Sequence, residues 1–202
     1  MRVALIGATG NAGSRVLKEL TDRGHHVTGI VRHPENVPVS DLVSAAGTDG
    51  TQASLADAVR GHDAVVSSVK FLSLDPDVLV PAILDSGVKR YLVVGGAGSL
   101  IGLKGVKEYD EPDFPPPAKP NSVRGGYLLD LLMETDGLDW TYISPSRMFV
   151  PGERTGVFRY GKDHMLFDEN GRSGISFEDF AIALADELEN PKHIRQRFTV
   201  GY

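Results

Sequence analysis

The sequence predicts an α/β fold, a doubly wound parallel sheet in a single domain with a small C-terminal extension. Three observations carry this. Short apolar, β-branched runs recur along the chain with helical patterns between them, the alternation that winds a parallel sheet. The runs are continuous rather than alternating apolar with polar, which marks strands covered on both faces. The first run also ends in three glycines, each separated from the next by two residues, at the start of an amphipathic helix. A chain of 202 residues suffices for one sizeable domain of this class, and length alone does not require two.

The opening strand covers residues 3–6 and leads into Gly7, Ala8, Thr9, Gly10, Asn11, Ala12 and Gly13. The helix that follows sets Val16, Leu17 and Leu20 on one face with Gly13. Arg15, Lys18, Glu19, Asp22 and Arg23 point elsewhere, and Gly24 is the stop. Strand, turn and helix together aim free backbone N–H groups at one point, and the glycines let a pyrophosphate approach where a Cβ would hold it off. The spacing is GxxGxxG rather than GxGxxG. A tight turn without a ligand is the alternative; the flanking strand and helix favour the nucleotide site.

The second strand, residues 26–31, delivers Arg32, His33 and Pro34. Arg32 stands 19 residues beyond Gly13, where a dinucleotide fold places an acid for the ribose hydroxyls of NAD or an arginine for the 2′-phosphate of NADP. Glu35 comes only after the proline, so NADP(H) is expected ahead of NAD(H), with a solvated surface arginine as the bland alternative. A third strand falls within residues 41–46, before Gly47, Thr48, Asp49 and Gly50. A helix from about Ser54 places Leu55, Ala58 and Val59 on one face. The strand at residues 63–69 carries Ser67 and Ser68 at its end, where the chain passes adenosine and pyrophosphate; serines also sit at such ends for turn reasons alone.

Residues 77–86 read as a short helix despite Pro81, stopped by Gly87. The strand at residues 90–95 opens into Gly95, Gly96, Ala97, Gly98, Ser99 and Leu100, a second glycine cluster that brings backbone against the nicotinamide half of a cofactor. Residues 101–120 hold Pro112, Pro115, Pro116, Pro117 and Pro120 beside Asp110, Glu111 and Asp113. This is too long for a passive connection and reads as a lid or substrate loop, with disorder as the alternative. A helix over residues 121–134 turns Leu128, Leu131 and Leu132 inward. A strand over residues 140–144 then delivers Pro145, Ser146, Arg147, Met148 and Phe149 to the same edge. The tail predicts a hairpin of residues 157–160 against 165–167, turning at Gly161. A helix capped by Ser176 follows, with Asp179 favouring its positive end and Phe180, Ala181, Leu184 and Leu188 inward, and a last strand covers residues 197–200.

Composition narrows the function classes. A net charge of −6 argues against nucleic acid or an anionic membrane as partner. With no cysteine there are no disulfides, thiolate metal sites or thiol nucleophiles. The six histidines show no ligand spacing, so no metal site is expected. No stretch approaches a membrane span, the N-terminus enters a strand directly, and a cytoplasmic protein is expected.

Over residues 7–13, 23–28, 61–65, 90–100, 140–156 and 171–202 the chain resembles the atypical short-chain dehydrogenase/reductase superfamily. It is most similar to its small NAD(P)H-binding, NADH-flavin reductase-like members. The glycine turn belongs to the superfamily at large; residues 95–100 and 151–156 are more specific to the small family. The resemblance implies a Rossmann fold, a pyrophosphate cradled by residues 7–13, and Arg32 at the adenosine phosphate. Two departures stand out. The family's Asp for the adenine amine would fall at Thr48, with Asp49 one step late, and neither is assigned. The Tyr-x-x-x-Lys pair of the longer short-chain enzymes is absent, since no tyrosine here has a lysine four residues on.

That absence bears on mechanism. Reducing a ketone creates an alkoxide that needs an acid, whereas a flavin or quinone spreads the incoming charge over its own heteroatoms. The expectation is an NADPH-dependent reductase of a flavin, quinone-like or similar flat small-molecule acceptor, with flavin as substrate rather than tightly bound cofactor. The acceptor would stack against Gly98, Ser99, Pro145, Ser146, Met148 and Phe149, beside Gly95, Gly96 and Ala97 under the nicotinamide, and no catalytic side chain is assigned. A monomer or homodimer is expected. The alternative is a non-catalytic, NADP(H)-sensing regulatory protein; an epimerase-type enzyme is disfavoured in so short a chain.

Overall fold

Val3, Ala4, Leu5 and Ile6 are all buried in the computed structural model, which describes residues 1–202. Successive strand side chains point to opposite faces. Val3 and Leu5 therefore enter one apolar core, and Ala4 and Ile6 the other. Burying each Val, Leu or Ile contributes roughly 1.5–3 kcal/mol, which holds this strand, β1 (Arg2–Ile6), at the centre.

The sheet grows from β1 in both directions. β2 (His26–Val31) and β3 (Val43–Gly47) lie on one side, and β4 (Ala64–Ser67), β5 (Arg90–Val94) and β6 (Asp139–Pro145) on the other. β7 (Met148–Val150) and β9 (Gly174–Ser176) form a separate parallel pair, while β8 (Arg159–Gly161) and β10 (Gln196–Gly201) close the main sheet. Its order is β3-β2-β1-β4-β5-β6-β10-β8, with only the last pairing antiparallel. Chain order reverses between β1 and β4, and ligands bind in the crevice at such a switch. α1 (Asn11–Asp22) and α5 (Phe177–Glu189) cover the face of Val3 and Leu5. α2 (Gln52–Val59), α3 (Pro76–Ser86) and α4 (Lys119–Glu134) cover the other. The doubly wound, Rossmann-like fold read from the sequence is the fold observed.

Several boundaries differ from the sequence reading for local reasons. α2 begins at Gln52, because the Thr51 hydroxyl accepts from the Ser54 N–H and caps it there. α4 begins at Lys119 and takes Pro120 into its first turn, where a missing N–H costs nothing. Ser176 caps α5 as expected, accepting from the Asp179 N–H at 2.9 Å.

The expected hairpin of residues 157–160 with 165–167 does not form. β8 pairs instead with the free edge of β10, and the Met165 N–H donates to the Ile101 carbonyl at 2.9 Å. The long segment after β5 is ordered by its own backbone. Gly102 donates to Val106, Glu108 to Leu100 and Tyr109 to Gly98, each at 2.9–3.0 Å. The segment is therefore a docked finger rather than a loose connection.

Candidate functional site

A cleft of about 1230 Å³ runs over the C-terminal ends of the parallel strands and across the switch between β1 and β4. Its floor is the glycine turn. Gly7 has φ +86°, and a Cβ there would collide with the Ser68 carbonyl. A Cβ on Gly13 would collide with the Gly7 carbonyl, so this glycine lets α1 seat directly on the end of β1. Gly10 caps α1 with no side-chain hydrogen bond, and no acid stands in the first turn. The helix's positive end and its orphan N–H groups are left for an anion. A pyrophosphate fits this cradle.

Most of the expected residues line the cleft. Gly7, Thr9, Gly10, Asn11 and Ala12 form the floor, with Arg32 and Ser68 on either side of it. Gly95, Gly96, Ala97 and Gly98 come from the end of β5, and Pro145, Ser146, Met148 and Phe149 from the end of β6 and from β7. Arg32 is exposed and makes no hydrogen bond or ion pair with the protein, unlike the neighbouring His33, whose Nδ1 lies 3.2 Å from Glu35.

Four expected residues do not reach the cleft. Ala8 is buried beneath the turn, and Gly13 serves packing. The Ser67 hydroxyl, read as a cofactor contact, is buried and lies 2.8 Å from the Tyr91 hydroxyl, with which it shares a hydrogen bond. Ser99, read as a substrate contact, is buried and accepts from Arg197 at 3.0 Å through its hydroxyl. A strand end turns alternate residues toward ligand and core, and these two hydroxyls take protein partners. Of Thr48 and Asp49, only Thr48 lines the cleft; Asp49 accepts from the Thr51 N–H and hydroxyl at 2.9 and 2.7 Å.

Other residues in the cleft went unread. Phe71 stacks on Tyr142, with ring centroids 6.5 Å apart, and lies against Gly96 and Gly125. The signal was Gly125 and Gly126 side by side inside a helix, a mark of close approach: a Cβ on Gly125 would sit 2.6 Å from the Phe71 ring. From the finger come Glu108 and Glu111. Glu108 is buried and accepts from Arg147 at 2.6 Å, while Glu111 pairs with Lys104 at 2.7 Å. No tyrosine lines the cleft. Burial pushes the Tyr91 and Tyr142 hydroxyls up from the usual tyrosine range, and Tyr142 donates to the Gly125 carbonyl at 3.1 Å.

Residues 151–156 act from a distance. Arg154 grips the buried Glu19 of α1 through two bonds of 2.9 Å. The Thr155 hydroxyl and the Gly156 N–H donate to Asp179 of α5 at 2.6 and 2.8 Å. The segment thus straps the chain after β7 across the two helices beneath the glycine turn.

Comparison with known proteins agrees with this geometry. Residues 7–191 match the family described as NAD(P)H-binding. YwnB of Bacillus subtilis (strain 168) is 39% identical over 210 residues, 99% of this chain and 98% of that protein. A Bacteroides thetaiotaomicron structure provisionally described as an epimerase superposes with a TM-score of 0.93 at 38% identity, covering 100% of this chain and 96% of that one. A Streptococcus pneumoniae structure provisionally described as an NADH-flavin reductase gives 0.82 at 36%, covering 100% and 99%. With its glycine cradle at the switch point and a match over nearly its whole length, the chain belongs to the NAD(P)H-binding family.

Proposed function

We infer that the protein is an NADPH-dependent reductase of a flavin, quinone or similarly flat, electron-poor acceptor. The observation that carries this reading is a cleft with a dinucleotide cradle at one end, aromatic walls at the other and no tyrosine between. When bound, the reduced nicotinamide supplies two electrons as a hydride. The chain's residues bind and orient. The first turn of α1 meets the pyrophosphate, and Arg32 meets the 2′-phosphate. Gly95 and Gly96 leave room for a ring to lie close to backbone. Phe71, Phe149 and Phe167 offer faces for stacking, and the finger at Glu108 and Phe114 covers one side of the acceptor and leaves another open to solvent. Because a flavin or quinone delocalises the charge it receives, solvent can deliver the proton and no buried acid is required.

An acceptor panel tests this. Free flavins and quinones should oxidise NADPH in the presence of the protein, and simple ketones and aldehydes should not. Reduction of ketones at comparable rates would overturn the assignment, since an alkoxide needs a proton donor beside the nicotinamide and no tyrosine lines the cleft. We place the activity in the cytoplasm with the reduced dinucleotide pool; recovery of the protein outside it on cell fractionation would contradict that.

A further inference from the structure

The adenosine end of the cleft holds no carboxylate. Val31, Arg32, His33, Asn36, Thr48 and Leu55 line it. The acids that do line the cleft, Glu108, Glu111 and Asp113, all follow β5, which lies four strand spacings of roughly 4.8 Å from β3. The two acids nearest in sequence have partners of their own. Glu35 is paired with His33, and Asp49 is held by Thr51. Neither lines the cleft.

This matters for the base. Adenine presents a 6-amino group that only donates; hypoxanthine presents a carbonyl there that only accepts. A carboxylate, which only accepts, tells them apart. The side chains of Asn36 and Thr48 do not. The Asn36 amide offers an acceptor and donors on one side chain. The Thr48 hydroxyl, 3.1 Å from the Ser54 hydroxyl and accepting from the Gly50 N–H at 3.1 Å, can rotate to give or to take. Arg32 carries donors alone and would favour a carbonyl, but in the NADP(H) reading its donors are engaged by the 2′-phosphate.

We propose that this chain binds its dinucleotide without reading the purine 6-position. Nicotinamide dinucleotide phosphates carrying adenine or hypoxanthine are held alike, through the pyrophosphate cradle and Arg32. The inference rests on the NADP(H) reading above, and binding rather than turnover tests it. The experiment is calorimetric titration of the full chain with NADPH and with its hypoxanthine analogue, repeated on Thr48→Asp. The native protein should bind both within about threefold, because no charge-assisted bond separates them.

In Thr48→Asp one carboxylate oxygen can keep the Gly50 N–H while the other faces the base. That variant should prefer the adenine form by about tenfold or more, the scale of a hydrogen bond to a charged group. A native protein that prefers NADPH about tenfold or more would overturn the proposal by the same scale. So would a variant with native melting temperature and no gained preference, since the base would then not lie against Thr48. If neither dinucleotide binds the native protein, the NADP(H) reading itself falls and takes this inference with it.

Discussion

In the proposed reading, cofactor choice turns on Arg32. It stands at the end of β2, lines the cleft and has no carboxylate partner, so its charge is free for a phosphate. Arg32→Ala should weaken NADPH binding by about tenfold or more, from a charge-assisted contact of 1.5–3 kcal/mol, and leave NADH nearly unchanged. Titration with both dinucleotides checks it, and equal weakening of the two would remove Arg32 from the site. At this scale the sequence was legible where chemistry follows from spacing. The glycine turn and the arginine after the second strand sit where the pattern places them. Ser67 and Ser99 were not legible. Their partners, Tyr91 and Arg197, lie 24 and 98 residues away, and no local pattern announces which hydroxyl faces the core.

Among the elements, α1 and α5 hold the cradle from below, tied by the strap that follows β7. Glu19 is the knot. Hydrogen bonding from Arg154, with help from Arg23, keeps its carboxyl below the ordinary glutamate value of 4.5. A lowered folded pKa means the stabilisation is whole above the ordinary value and is lost as pH falls through the lowered one. Glu19→Gln should therefore destabilise the protein by about 1–3 kcal/mol at neutral pH. The gap from the native protein should close in acid, as urea unfolding at the two pH values would show. A gap independent of pH would contradict the ionic role.

The finger after β5 makes a second prediction. Arg147→Ala leaves the buried Glu108 without its cation. Hydrogen–deuterium exchange over residues 100–110 should rise, and the KM for the acceptor should rise with NADPH affinity intact. Unchanged exchange would show that the ion pair does not hold the finger. The prolines foretold an irregular segment; its ion pair with an arginine well downstream could not be read locally. The missing hairpin has a similar cause, because the free edge of β10 outcompetes a short local pairing.

For the whole molecule, strand–helix alternation and continuous apolar strands specify a parallel sheet covered on both faces, since parallel strands need crossovers and the crossovers supply the covering helices. The strand pairings that differ from the sequence reading, β7 with β9 and β8 with β10, fall after residue 148, where partners are set by tertiary contact. The same arrangement brings a cradle that fits a pyrophosphate and a set of aromatic side chains to one edge of the sheet. The most direct test is to follow the nicotinamide absorbance with FMN as acceptor, running NADPH and NADH in parallel. The account predicts protein-dependent oxidation that favours NADPH. If NADPH raises the melting temperature while no flavin or quinone is reduced, the reductase assignment is contradicted and the cleft is that of a dinucleotide-sensing protein.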